Sequence, residues 1–381
     1  MDFALTDEQR SIVEVTRAFV ERELYPHEEE VERTGHVRPE LVAQIRAKAL
    51  AAGLYAANMP ESVGGAGLDA VTLALFEKEL GKASYALHYT GVVRPSNILM
   101  ACEGSQREDY LLPAVRGERT DCLAMTEPGA GSDMRGIRTR ATRDGGDWVI
   151  KGTKHFISHA DEADFVILLA RSGPDRNDFS TFLVDLDAPG LAVHDGYRNV
   201  SHRGYTNSIL DFDDVRVPES ALLGPEGKGL ELSGEWLGST RLSVAATCLG
   251  RAERALALST AHAATREQFG QKIGKFQGVG FKLADMALEL RAAELLTLQV
   301  AWLLDQGRAT DADIAMAKLK ATEMLAMVAD EAIQVHGGMG LMDELPLERI
   351  WRDARIERIW DGTSEIQRHI ISRSLLRPLG G

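Results

Sequence analysis

The apolar positions in the first 118 residues repeat with a helical period. Thr6 and Gln9 have the spacing of a capping box, in which the two side chains bind exposed backbone N–H groups at a helix start. The apolar stripe that follows consists of Ile12, Val13, Val15, Phe19 and Val20. The pattern predicts further helices over 40–53, 69–80 and 96–116.

Between about 119 and 230 the period changes to that of β-strands. Short β-prone runs occupy 147–150, 165–170, 181–184 and 207–212, separated by Gly, Pro, Asp and Asn. Because no helical segments lie between these runs, the sequence predicts an antiparallel β-domain and not a doubly wound sheet.

Helical periodicity returns at about 231. Long Ala/Leu-rich stretches at 242–265, 276–304 and 311–335 are long enough for a helix bundle. A last helix is expected after 361–364, where Thr363 or Ser364 can cap it. The predicted fold is therefore α+β: an N-terminal helical domain (1–118), a central antiparallel β-domain (119–230) and a C-terminal four-helix bundle (231–381).

Composition and charge narrow the range of partners. The chain has 381 residues and a net charge of -14, which disfavours nucleic acid and anionic lipid as partners. Its three cysteines lie far apart without zinc-ligand spacing, so we expect no metal site and a reducing cytoplasm. The N-terminus lacks a signal-peptide pattern, and the strongest apolar run, 165–170, is too short to span a bilayer.

Several local motifs allow more than one interpretation. Segment 128–133, Pro-Gly-Ala-Gly-Ser-Asp, lacks the third glycine of a dinucleotide fingerprint, so a phosphate cradle and a plain turn remain equally open. His155 and His159 have a metal-ligand spacing only on a helix, and their surroundings look extended. Segment 336–340, His-Gly-Gly-Met-Gly, is either a helix-ending loop or a point of close approach to a cofactor. No GxSxG motif supports acyl transfer.

Asp361 is the most informative carboxylate. It follows the apolar pair Ile359-Trp360 and precedes Gly362, at a predicted helix junction. Bulky apolar neighbours can raise a carboxyl pKa, as a general base requires. An Asp before Gly-Thr-Ser is also typical of a cap or turn, and the residues alone do not decide between the two.

Five motifs in order resemble the acyl-CoA dehydrogenase family of FAD enzymes over nearly the whole chain. They are LAMTEPGAGSD at 123–133, KGTKHFIS at 151–158, TREQFGQKIGKFQ at 265–277, QVHGGMG at 334–340 and WDGTSEIQR at 360–368. The family fold, a helical domain, a β-domain and a four-helix bundle, agrees with the predicted layout.

The resemblance implies an FAD site in two parts. Near the flavin it places the segment that starts at Leu123, with Thr126 by the ring, Ser132 by the CoA thioester, Phe156 on the ring and Ser158 near N5. For the rest of FAD, partly across a subunit interface, it implies Arg266, Gln268, Gln277, Gln334, Gly338, Thr363 and Glu365. Arginine suits this role because it is a permanent, multi-donor phosphate ligand.

The resemblance also implies a base. Most family members have Glu where this chain has Asp361, whose backbone N–H would help bind the thioester carbonyl, with Gly362 and Arg241 near the substrate. A second family location for the base falls on Thr240, which is not a carboxylate. Asp is one methylene shorter than Glu, and a base must reach its proton within about 2.6–3.2 Å.

The sequence therefore leaves two possible functions open. The first is FAD-dependent α,β-dehydrogenation of an acyl-CoA, with an electron-transfer flavoprotein as oxidant and a homotetramer or homodimer as the assembly. The second, supported by Asp361 in place of Glu, is a CoA-binding flavoprotein with a non-redox, lyase-like or binding role. Arg94 falls in the region that shapes the family's acyl pocket, where it would pair with a substrate carboxylate or form an ordinary ion pair.

Overall fold

The computed structural model describes residues 4–92 and 95–379, and Arg94 lies outside them. The capping box is confirmed: the backbone N–H of Gln9 donates to Thr6 Oγ1 and that of Thr6 to Gln9 Oε1, each at 3.1 Å. The N-terminal helices are α1 Asp7–Phe19, α2 Glu28–Thr34, α3 Pro39–Ala51, α4 Ala70–Leu80, α5 Tyr85–Gly91 and α6 Leu112–Val115. The helices expected over 40–53 and 69–80 are thus α3 and α4.

The single helix predicted over 96–116 is wrong. The chain forms a 3₁₀ turn at Asn97–Ala101, a π-helical turn at Arg107–Leu111 and the short α6. Cys102, with φ -64° and ψ 130°, is extended and ends the first turn, and Gly104 follows with a left-handed φ of 54°. Pro113, in the first turn of α6, has no backbone N–H to donate.

The central region is a sheet in the order β6-β7-β3-β2-β4-β5-β8, with β1 paired to β4. Most pairs are antiparallel as predicted, whereas β1 and β2 each run parallel to β4. The strands are β1 Asp121–Ala124, β2 Arg140–Asp144, β3 Asp147–Ser158, β4 Phe165–Arg171, β5 Phe179–Asp185, β6 Leu191–Asp195, β7 Asn207–Pro218 and β8 Leu222–Leu223.

The sheet is buried on both faces at β4 and β5. Val166 and Phe182 pack with Trp148 on one face, while Phe165 and Leu183 join a core shared with the N-terminal region on the other. Double burial explains why both strands read as continuous apolar runs without alternation. The central sheet is therefore held against the helices that precede it.

The C-terminal helices pack around α9. They are α7 Gly229–Thr265, α8 Gln277–Asp305, α9 Asp311–His336, α10 Leu347–Glu357 and α11 Ser364–Leu376, with a hairpin of β9 Glu267–Gln268 and β10 Gln271–Lys272 after α7. Helix α9 contacts each of the other four helices. Helix α10 was missed by the sequence reasoning, although its buried Leu347, Ile350 and Ala354 have helical spacing. No helix within the described residues is long and apolar enough to cross a membrane.

Candidate active site

The loop around Asp361 joins α10 to α11. Asp361 has φ 52° and Gly362 has φ 95°, so two successive residues adopt left-handed backbone. The φ of Gly362 favours glycine, and a Cβ there would also lie 2.7 Å from Gln367 Nε2. Thr363 caps α11 by accepting from the Ile366 N–H at 3.3 Å. The side chain of Asp361 is half-buried at this junction.

Side chains from three helices hold the backbone carbonyls of the Asp361 loop. Lys318 Nζ donates to the carbonyls of Trp360 and Gly362, both at 2.6 Å, and Arg241 Nε donates to that of Asp361 at 3.0 Å. Gln367 Nε2 also donates to the Gly362 carbonyl at 2.9 Å. The structure thus brings Arg241, Asp361 and Gly362 together, as expected. Thr240 donates its hydroxyl to the Trp236 carbonyl within α7.

Aromatic rings form a wall beside Asp361. The ring of Tyr85 lies 5.1 Å from Trp360 and 5.7 Å from Tyr205. Burial raises the pKa of Tyr205 to about 12, opposed by its bond to Ser158 and assisted by the negative charge of Asp361. Burial also raises the pKa of Tyr85, with a smaller contribution from Asp361. The sequence reasoning missed this wall, although its signal was the dense run Tyr85 to Tyr89.

A buried charged cluster supports Trp360 from behind. Trp360 Nε1 donates to Glu357 Oε2 at 2.8 Å, and Arg251 forms an ion pair with the same carboxylate. His202 Nε2 lies 3.2 Å from Glu357 Oε1, and its Nδ1 lies 3.2 Å from Asp353 Oδ2. The ring of His202 stacks on Trp360 at 5.1 Å. The cluster joins the central region to α7 and α10 directly behind the Asp361 loop.

The residues expected near the flavin lie on β3 and on the loop after β1. The His155 N–H donates to the Thr126 carbonyl at 2.9 Å, which joins the two segments. Phe156 has φ 59° at an irregularity in the β3–β7 pairing and is 56% exposed. Ser158 Oγ shares a hydrogen bond with the Tyr205 hydroxyl. Since the ring of Tyr205 also lies 6.0 Å from that of Trp360, it connects this surface to the Asp361 loop.

The loop between β1 and β2 is held by Glu127. This buried carboxylate accepts from the N–H groups of Arg138 at 2.7 Å and Thr139 at 2.9 Å, and from Lys154 Nζ at 3.0 Å. Leu123 pairs with Ile167 in the sheet, while Ser132 is exposed. Because the loop connects two strands and does not open a helix, the dinucleotide-fingerprint interpretation is excluded.

A second group of predicted FAD residues lies at the end of the bundle near the C-termini of α7 and α9. Arg266 is the C-cap of α7, and His262 stacks on His336 at a ring distance of 4.3 Å. Arg241 and Arg266 are about 25 positions apart on α7, or about 37 Å along its axis. The exposed residues of this group are Arg266, Gln268, Gln277, Gln334 and Gly338. Glu365 is exposed in the first turn of α11, near Thr363 but apart from this group.

The histidines and cysteines considered in the sequence as possible metal or redox residues have the following surroundings. Across the described parts of the chain, no group of three His, Cys, Asp or Glu side chains suits a metal ion. His155 bonds the Tyr197 hydroxyl at 3.0 Å, while His159 stacks on Tyr89 and burial lowers its pKa to about 4. The three cysteines are free and buried.

Comparisons with known proteins identify the family. The chain matches the N-terminal (6–118), middle (122–215) and C-terminal (227–376) domains of acyl-CoA dehydrogenase. It belongs to the acyl-CoA dehydrogenase family, which confirms the resemblance and the fold class predicted from the sequence.

Three known proteins show how similar the chain is to others in that family. It is 39% identical to the probable acyl-CoA dehydrogenase YngJ of Bacillus subtilis, over 99% of this chain and 100% of the relative. The butyryl-CoA dehydrogenase structure from Megasphaera elsdenii has a TM-score of 0.93 and 32% identity, covering 99% and 100% of the two chains. A glutaryl-CoA dehydrogenase from Mycobacterium smegmatis in complex with FADH2 has a TM-score of 0.90 and 28% identity, covering 97% and 95%.

Proposed function

We propose that the protein is an FAD-dependent acyl-CoA dehydrogenase in which Asp361 is the base. The observation that carries this is the link from the Asp361 loop to Ser158: the ring of Trp360, the residue before Asp361, lies 6.0 Å from the ring of Tyr205, which shares a hydrogen bond with Ser158. A carboxylate beside a hydride-accepting cofactor is the pair that α,β-dehydrogenation requires. The non-redox alternative is not favoured, because the three relatives compared above are named as dehydrogenases.

The described residues fit a flavin. Phe156 presents an exposed aromatic ring, and Tyr197 lies 5.1 Å from it. Gly129 and Gly131 have open space where a Cβ would stand, so their backbone is accessible to a ligand. Leu123, Thr126, Ser132, Phe156 and Ser158 are the residues that would contact the flavin and adjoining thioester. When bound, FAD supplies the hydride acceptor.

Residues of this protein remove the α-proton and bind the thioester carbonyl of the substrate. Asp361 takes the α-proton of the thioester, and its backbone N–H donates to the thioester carbonyl, where negative charge develops. Arg241 Nε donates to the Asp361 carbonyl at 3.0 Å, and Gly362, with φ 95°, forms the turn that places Asp361 beside the substrate. The aromatic wall excludes water from the acyl group, which strengthens both interactions.

We infer that the second group of FAD residues serves a neighbouring copy of the chain. Arg266, at the C-terminal end of α7, lies about 37 Å along that helix from Arg241, too far to complete the same flavin site directly. An exposed apolar residue also recurs at every seventh position of α8: Phe281, Leu288, Leu295 and Trp302. Such a stripe favours helix packing between subunits, so we propose a homotetramer or homodimer with shared FAD sites, to which Thr363 and Glu365 also contribute.

Co-expression of two defective chains tests the shared site. Asp361→Asn removes the base, and Arg266→Ala removes a phosphate ligand proposed to act on the neighbouring chain's FAD. Hetero-oligomers then contain some sites with both defects and some with neither, and random pairing returns about a quarter of wild-type activity. Each variant alone is expected to be inactive or FAD-deficient. Co-expressed chains no more active than the single variants would contradict the shared site.

Anaerobic reduction tests the function itself. We expect the purified protein, reconstituted with FAD, to show flavin absorbance that bleaches when butyryl-CoA is added without oxygen. A panel of branched, cyclic and dicarboxylic acyl-CoAs then identifies the substrate class, with free CoA as the control. Protein that binds no FAD, or FAD that no acyl-CoA bleaches, would contradict the proposal.

Three further assignments belong to the same proposal. Reduced flavin must be reoxidised, and we propose an electron-transfer flavoprotein as the acceptor. Three free, buried cysteines support a reducing, cytoplasmic location. We also propose the domain limits 1–118, 119–230 and 231–381, which is supported by the change from helices to strands and back.

A further inference from the structure

Lys318 is a fully buried cation directly beneath the Asp361 loop. It lies within α9, and its ammonium donates to the carbonyls of Trp360 and Gly362, both at 2.6 Å. Burial lowers the pKa of Lys318, while the charges of Asp361 and Glu357 oppose that shift. Charge-assisted hydrogen bonds to the loop offset the cost of burying this cation.

The two carbonyls that Lys318 holds belong to the residues immediately before and after Asp361. Arg241 donates only to the Asp361 carbonyl. Gln367 Nε2, from the C-terminal side, donates to the carbonyls of Asp361 and Gly362. Lys318 thus bridges both sides of the base. The bridged residue has φ 52°, which is uncommon for a residue with a Cβ and persists only where its surroundings impose it.

We propose that Lys318 is a positioning residue for the Asp361 base. By fixing both flanking carbonyls, it holds Asp361 in left-handed backbone with its carboxylate near Tyr205 and the flavin surface. The shorter Asp side chain makes this placement more demanding, because little side-chain freedom remains to correct a shift of the backbone. The inference rests on the proposed function, in which Asp361 removes the α-proton.

The variant Lys318→Met tests this role, since Met fills similar volume without donors. We expect the limiting rate constant of flavin reduction by butyryl-CoA, per bound FAD, to fall about 10- to 100-fold. The half-saturating butyryl-CoA concentration should stay within about twofold, because Lys318 acts through the base and not on the ligand. Lys318→Gln, which keeps an amide donor, should give an intermediate rate.

Lys320→Met is the matched control. Lys320 is on the same helix, is about one-third exposed and pairs with Glu289. Its replacement should leave the reduction rate unchanged. A merely structural role for Lys318 would lower FAD content or thermal stability while leaving the rate per bound FAD at the wild-type value.

The outcomes separate this inference from the proposed function. If butyryl-CoA bleaches wild-type flavin but not that of Asp361→Asn, while Lys318→Met reduces at the wild-type rate, the Lys318 inference is overturned and the base assignment stands. If Lys318→Met yields no folded holoprotein, the same comparison with Lys318→Gln decides. If Asp361→Asn reduces normally, the base assignment fails first and the Lys318 inference fails with it.

Discussion

Asp361→Asn is expected to slow anaerobic flavin reduction by about 10²- to 10⁴-fold, the usual contribution of a positioned general base. Asparagine has nearly the same shape, so the loop carbonyls keep their bonds to Lys318 and Arg241. The amide cannot accept the α-proton. Stopped-flow reduction by butyryl-CoA measures the rate, and the flavin spectrum verifies that FAD stays bound.

Two other variants serve as a control and a comparison for Asp361→Asn. Asp343→Asn alters an exposed carboxylate in the loop before α10 and should reduce at the wild-type rate. Asp361→Glu restores the longer side chain, so faster reduction by straight-chain acyl-CoAs would show that the shorter base tunes substrate choice. Wild-type reduction in Asp361→Asn would remove Asp361 from the mechanism.

Glu357→Gln is expected to have the largest effect on stability. The Glu357 carboxylate is fully buried, forms an ion pair with Arg251 and accepts from Trp360 at 2.8 Å. Gln keeps the shape but leaves Arg251 without its buried counter-charge, which typically costs about 3–5 kcal/mol. Urea unfolding at fixed protein and FAD concentrations measures the difference in the free energy of unfolding.

The difference in the free energy of unfolding between wild type and Glu357→Gln is expected to shrink at acidic pH. Burial alone would raise the pKa of Glu357, but Arg251 and His202 outweigh it and lower the pKa to about 2 from the ordinary 4.5. A carboxyl whose folded-state pKa is lowered stabilises the protein above pH 4.5 and loses that contribution as pH falls toward 2. The stability gap between wild type and Glu357→Gln should therefore narrow between pH 5 and pH 3.

An exposed ion pair provides the control. Glu231 pairs with Lys228 at 2.6 Å, with both side chains more than half exposed. Glu231→Gln should change the free energy of unfolding by less than about 1 kcal/mol. Equal effects of the two Glu→Gln substitutions would contradict the role assigned to the buried cluster.

The fold was predictable wherever local signals agreed with packing. The Thr6–Gln9 box, the Thr363 cap and the long Ala-rich helices follow from neighbouring residues, and the structure has each of them. The helix predicted over 96–116 failed because its apolar residues pack against the central sheet through several short turns. The parallel β1–β4 pair was also unpredictable locally, since strand pairing depends on distant segments.

Some residues of the candidate site could likewise be predicted from the sequence, and others could not. Asp361, Gly362 and Arg241 could be named from motifs, and the structure brings them together. Lys318 could not, because in the sequence it is one lysine in a helical run and only the fold buries it under a loop 42 positions away. The wall of Tyr85, Tyr205 and Trp360 likewise gathers rings from three regions of the chain.

FAD-dependent dehydrogenation removes two hydrogens from the acyl-CoA, one as a proton and one as a hydride. The most direct test is a single anaerobic turnover of the holoprotein with the acyl-CoA that bleaches the flavin fastest, followed by mass analysis of the CoA product. We expect one product lighter by two hydrogens for each flavin reduced. If every acyl-CoA of the panel is recovered unchanged, or is converted without loss of hydrogen while the flavin stays oxidised, the protein is not an acyl-CoA dehydrogenase.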